Sequence, residues 1–134
     1  MIRSLRGEVL NSGDGWVEVD VHGIGYLVAT PTTTAIPGTN EPIHLHTYLA
    51  VRETALDLYG FTDPADRACF ELLLGIPKVG PKSALQIMSQ ATPTLLAEAA
   101  EKTDPVYLQK MSGIGKKTCE NIVQYLSNKL DQLP

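Results

Sequence analysis

Leu73-Leu74-Gly75-Ile76-Pro77-Lys78-Val79-Gly80-Pro81-Lys82-Ser83-Ala84 and Leu108-Gln109-Lys110-Met111-Ser112-Gly113-Ile114-Gly115-Lys116-Lys117-Thr118-Cys119 share one pattern, 35 residues apart. Each copy has an apolar approach, a tight turn around a branched apolar residue and a glycine, then lysine, a hydroxyl residue and a small residue. Self-similarity at a fixed offset marks one supersecondary unit used twice. Gly80 and Gly115 read as the residues that take backbone angles closed to other side chains. Val79 and Ile114 read as plugs that point back into the core and pin each turn between two helices. The copies differ inside the turn, where Lys78 follows Pro77 in the first and Gly113 stands in the second. The first turn is therefore expected to be less regular, or to add a cation.

A helix opening straight after each glycine presents unpaired N–H groups and the positive end of its dipole. Such an end suits an anion. Lys82, Lys116 and Lys117 stand in the first turn of those helices, where a cation opposes the dipole unless a phosphate is present. The pattern reads as a tandem helix-hairpin-helix that holds nucleic-acid backbone without reading sequence. Its expected contact residues are Lys78, Val79, Gly80, Lys82 and Ser83 in the first copy, and Gly113, Ile114, Gly115, Lys116, Lys117 and Thr118 in the second. The amides of Val79, Gly80, Ile114 and Gly115 are expected to face the ligand. The alternative is a helical hairpin with glycine caps and solvated lysines. One copy alone does not separate the two readings; lysines in register in both copies favour the phosphate.

The 134 residues fit one large or two small domains, and 43% apolar content is enough for a core. No apolar run is long enough to span a membrane, and Met1-Ile2-Arg3-Ser4 lacks the start of a secretory leader. Cys69 and Cys119 read as buried reduced thiols of a cytoplasmic protein. The net charge of −4 argues against a simple nucleic-acid reading. The charge is uneven, however. Residues 1–63 hold three basic and eight acidic side chains; residues 64–134 hold eight and seven.

Taken in order, Ile2–Leu10 reads as a strand with a close approach at Gly7. Ser12-Gly13-Asp14-Gly15 is turn chemistry, and Trp16–Val21 alternates as a half-buried strand. His22-Gly23-Ile24-Gly25 breaks or bulges it, and Tyr26–Thr30 continues. Pro31–Pro42 is a loop, Ile43–Ala50 a fourth strand, and Leu58–Phe61 ends a fifth. Five short strands with glycine kinks predict a small OB-type barrel. Asp63-Pro64, Thr92-Pro93 and Asp104-Pro105 are helix starts, each a capping residue before proline. Helices are expected at Pro64–Leu74, Pro81–Ser89, Pro93–Lys102, Pro105–Met111 and Lys116–Leu130. The last carries an apolar stripe of Cys119, Ile122, Val123, Leu126 and Leu130. The expected fold is α+β: a five-stranded OB-fold barrel over 1–62, then an all-helical tandem helix-hairpin-helix domain over 63–134.

No catalytic centre is legible. His44 and His46 share one side of a strand, but two histidines without a third ligand seldom make a metal site. Gly115-Lys116-Lys117-Thr118 lacks the spacing of a phosphate loop, and Gly23-Ile24-Gly25 lacks the third glycine of a dinucleotide site. A helix-hairpin-helix glycosylase needs a base-flipping pocket with a catalytic acid or lysine; beyond Asn121 there are only Lys129 and Asp131. No cofactor is implied. A helical pair that merely docks protein is the remaining alternative, and it has no use for the lysines.

With these residues assembled, the chain resembles the RuvA family of Holliday-junction-binding proteins. The resemblance rests on Met1-Ile2, Leu5-Arg6-Gly7, Gly23-Ile24-Gly25-Tyr26, Val51-Arg52-Glu53, Leu58-Tyr59-Gly60-Phe61 and both hairpins, in that order, and covers residues 1 to about 130. It implies a non-catalytic subunit of a branch-migration complex in recombination and DNA repair. The implied partners are four-way junction DNA, the RuvB motor and RuvC, with assembly as a homotetramer or an octamer. It also implies an acidic pin at the loop after Arg52. Glu53 matches the first pin carboxylate, Thr54 stands where a second acid is common, and Asp57 is a candidate substitute. Arg52 is expected to support this loop or to touch DNA. The family's third, RuvB-binding domain has no counterpart in these residues.

Overall fold

The protein is described by a computed structural model over residues 1–133. Two compact units divide inside the first helix, one over Met1–Arg67 and the other from Ala68 on.

The first unit is a closed five-stranded barrel. Its strands are β1 (Ser4–Gly13), β2 (Trp16–Val21), β3 (Ile24–Ala29), β4 (Pro42–Arg52) and β5 (Ala55–Phe61). They close in the order β1-β2-β3-β5-β4, antiparallel except for the β3–β5 pair, which is the OB-type arrangement. Alternation along the strands sends Val9, Val17, Val19, Val28 and Leu45 inward, each fully buried. Each contributes about 1.5–3 kcal/mol relative to an exposed position. Two glycines permit closure. A side chain at Gly7 would collide with the Asp20 carbonyl, and one at Gly60 would lie 2.6 Å from Val28 Cγ1. Thr47, buried and polar, is satisfied by donating to the Ile2 carbonyl at 2.7 Å.

Several strand limits differ from the sequence reading. β1 begins at Ser4 and runs on to Gly13, because the register shift between Val9 and Asn11 absorbs Leu10 as a bulge and pairing resumes. The interruption expected over His22–Gly25 is only a two-residue turn. His22 (φ 52) and Gly23 (φ 90) both take the left-handed conformation that tight hairpins favour, so β3 already starts at Ile24.

The second unit is helical. Its elements are α1 (Pro64–Leu73, which begins in the first unit), α2 (Pro81–Gln90), α3 (Pro93–Lys102), α4 (Pro105–Ser112), α5 (Lys116–Ser127) and a short 3-10 turn at Leu130–Gln132. Cys69, Phe70, Leu73, Leu96, Leu108, Ile122 and Leu126 are fully buried. The apolar stripe of α5 is present at Cys119, Ile122, Val123 and Leu126, but Leu130 does not belong to it. The helix stops at Ser127, and Leu130 stands on the following 3-10 turn, 38% exposed.

Candidate nucleic-acid interface

The five helices begin in two different ways. At α1 the Asp63 carboxylate accepts from the Ala65 amide at 2.9 Å. At α3 Thr92 Oγ1 accepts from Leu95, and at α4 the Asp104 carboxylate accepts from Tyr107. These caps satisfy amides that a helix start leaves orphaned. α2 and α5 follow the two repeated turns, start from Gly80 and Gly115, and have no side-chain cap. Neither has an acidic residue in its first turn. Lys82 and Ser83 of α2 and Lys116, Lys117 and Thr118 of α5 are exposed at those open starts. Two helix ends of positive potential thus keep their dipoles unanswered and add lysines to them.

The two starts belong to one symmetric arrangement. A groove of about 320 Å³ is lined by Val79 and Ile114, Ser83 and Thr118, Gln86 and Asn121, and Ile87 and Ile122. Each of those pairs is one residue and its equivalent 35 positions later, so both copies of the repeat face a single groove across an approximate dyad. Sequence spacing announced the repeat; only the packed helices reveal that its copies share this groove.

Inside the turns the structure corrects the expected roles of the glycines. Gly80 (φ −96, ψ −176) and Gly115 (φ −59, ψ 151) have backbone angles that any residue adopts. The left-handed positions are two residues earlier, at Lys78 (φ 69) and Gly113 (φ 77). A Cβ built on Gly80 or Gly115 meets nothing within 4 Å. Nothing inside the chain therefore requires glycine there, and its effect is to leave the helix start open to an approaching group.

The plugs are also redistributed. Ile114 is buried, as expected, but Val79 is only half-buried and Ile76 is the buried residue of the first turn. The reason lies in Gly75-Ile76, which turns directly off α1. The Gly75 amide donates to the Leu72 carbonyl and the Ile76 amide to the Leu73 carbonyl. That fold-back drives Ile76 inward before Val79 is reached. The amides of Val79 and Ile114 do not face outward either. Val79 donates to the Ile76 carbonyl at 3.0 Å and Ile114 to Ser112 Oγ at 3.1 Å. Ser112 Oγ in turn donates to the Leu108 carbonyl, and the Cys119 thiol, its pKa pushed up by burial, donates to the Ile114 carbonyl.

The β4–β5 hairpin turns at Glu53-Thr54, with Arg52 opposite Ala55 in register. Glu53 is exposed at the tip. Asp57 is not at the tip; it sits on β5 opposite Ala50 and accepts from the Arg52 guanidinium at 2.8 Å. The pair holds the strand stems together and leaves Glu53 as the tip carboxylate. Val51 and Leu56, opposite one another, are 70% and 71% exposed on the other side of the hairpin. Among the described residues no group of three or more His, Cys, Asp or Glu is placed to hold a metal, and no helix is long and apolar enough to cross a membrane.

Comparison with known proteins agrees with this geometry. Residues 1–60 match the family model for the RuvA N terminal domain, and residues 70–128 match the SAM-like helix-hairpin-helix tandem. The chain is 46% identical over 131 residues to the Holliday junction branch migration complex subunit RuvA of Herpetosiphon aurantiacus, covering 96% of this chain and 66% of that protein. The protein of the same name from Desulforamulus reducens is 40% identical, covering 97% of this chain and 65% of the relative. That of Chloroflexus aggregans is 44% identical, with 98% and 68% covered.

Proposed function

The chain belongs to the RuvA family, and from that premise we propose that it binds four-way junction DNA as the non-catalytic subunit of a RuvAB-type branch-migration complex. It spans about two thirds of the length of the relatives it matches, so what those whole proteins do is part of the proposal. The observation that carries the reading is the pair of uncapped helix starts, each with exposed lysine and a glycine that nothing inside the chain requires. Gly80, Lys82, Ser83, Gly115, Lys116, Lys117 and Thr118 hold backbone phosphates, with Lys78 and Gly113 setting the turns. Val79 and Ile114 contribute shape rather than amides. Such contacts fix position on DNA and carry no sequence information.

In this reading residues 1–62 form the barrel domain with the pin, and residues 63–134 form the backbone-binding domain. Glu53 stands at the crossover and repels phosphates there, while Asp57 holds Arg52. Assembly as a homotetramer multiplies a weak site, because linked sites raise effective concentration. That is how a protomer of net charge −4 holds a polyanion. RuvB supplies ATP hydrolysis; RuvC and a second tetramer are further partners to test, and the compartment is the cytoplasm. The test is a titration against a four-way junction and a matched linear duplex at two salt concentrations. Strong junction preference that weakens with salt is expected. Equal binding to both reduces the function to a general backbone binder, and no binding to either overturns the reading.

A further inference from the structure

The barrel unit is acidic, yet several basic side chains gather on one side of it. Arg6 of β1 and Arg67 at the head of α1 both lie close enough to His46 of β4 to act on its charge. There His44 and His46 project side by side from β4, ring centroids 4.6 Å apart. Arg6 stands directly across the ladder from His44, and Ser4 across from His46. Arg67 Nη1 donates to the Arg3 carbonyl, which anchors that guanidinium at the same edge. His44 and Arg6 are exposed, and His46 and Arg67 half-exposed.

The charges that face His46 are His44 on its own strand, Arg6 on β1, and Arg67 and Asp63 at the head of α1. Only Asp63 is acidic. Burial first, then His44 and Arg67, and last Arg6, hold the His46 imidazole below the ordinary histidine range, against an upward pull from Asp63. Like charges opposite one another across a ladder destabilise it. The cluster is therefore costly to charge in the free protein, and an anion seated on it reverses that cost.

We propose that Arg6, His44, His46 and Arg67 form a second phosphate-binding surface, outside the helical unit, which grips nucleic-acid backbone more tightly as the histidines take up protons. It rests on the proposed DNA-binding function and adds a contact to it. The sign follows from linkage. A bound phosphate stabilises imidazolium, so binding takes up protons; affinity rises as the pH falls, and the gain is complete only below the free-protein pKa of His46, itself held under the ordinary histidine range.

The test is a junction titration at pH 5.5 and pH 8, each at two salt concentrations. Wild type is expected to bind roughly tenfold tighter at the lower pH, the scale of one charge-assisted contact. Its salt slope is expected to steepen by about one unit per added phosphate contact. The His44→Gln, His46→Gln double variant keeps the pH 8 affinity and loses most of the gain; Arg6→Gln, which leaves both imidazoles in place, weakens binding most at pH 5.5. Lys116→Ala, Lys117→Ala loses affinity at both pH values but keeps the gain. An unchanged pH response in the histidine variant overturns this surface alone. Absence of wild-type binding at either pH overturns the DNA reading and this surface with it.

Discussion

The two repeated turns reach one exterior by different interiors. In the second turn Gly113 takes the left-handed conformation without a side chain, its amide closes α4 on the Gln109 carbonyl, and Ser112 Oγ receives the Ile114 amide. That turn is built from its own neighbours. In the first, Lys78 takes the same conformation with a full side chain, Ile76 is the plug, and Gly75 lies so close under the Tyr125 hydroxyl that no Cβ would fit. That turn leans on α5, a helix opened by the other copy. The repeat thus holds constant where the open amides and lysines stand, while the interior support is free to vary.

The largest effect that bears on this contrast is in the plugs. Ile76→Ala and Ile114→Ala should each cost about 2–4 kcal/mol of unfolding free energy, and Val79→Ala about 1 kcal/mol or less, read by urea denaturation. Equal losses at positions 76 and 79 would break the asymmetry between the turns. Next come the left-handed positions. Lys78→Gly should stabilise the protein by about 1 kcal/mol and Gly113→Ala should destabilise it by a similar amount, because a Cβ is disfavoured there. If the Lys78 ammonium also meets phosphate, the same Lys78→Gly protein binds junction DNA more weakly while melting later. A parallel rise in both would remove Lys78 from the interface.

Smaller still are the exposed lysines, where the two copies should look alike. Lys82→Ala and Lys116→Ala should each flatten the slope of log affinity against log salt by about one unit, a loss of roughly three- to fourfold across 50–200 mM salt on every DNA sequence. A sequence-dependent loss at either would sink the backbone reading. The smallest effects are expected away from the turns. Asp57→Asn frees Arg52 from a half-exposed pair and should cost less than about 1 kcal/mol. Glu53→Gln should leave junction affinity equal or raise it, and a clear loss in the same titration would remove the pin from the crossover.

The sequence disclosed the elements better than their interiors. Asp63-Pro64, Thr92-Pro93 and Asp104-Pro105 start helices because capping and proline are local chemistry, and each cap is present. The barrel was legible from alternation and from Gly7, whose lack of a side chain admits the Asp20 carbonyl. What escaped depends on tertiary contact. That Ile76 displaces Val79 as plug follows from hydrogen bonds back onto α1, and that Asp57 serves Arg52 follows from strand register. The shared groove was hidden because equivalent residues 35 apart come to line one cavity only in the folded unit. The conformations of Gly80 and Gly115 were misread because glycine suggests unusual angles, whereas here it provides open space.

The approximate dyad of that groove has a consequence for motion. Duplex DNA has its own two-fold axes, at every base pair and between neighbouring pairs, which exchange the two antiparallel strands. A grip with matching symmetry has no preferred strand polarity. It also finds an equivalent seat after each advance of one base pair along the screw of the helix. Under the proposed function, a junction arm held this way would turn through the protein as a bolt through a nut cut for either direction, with the direction of travel left to whatever drives it.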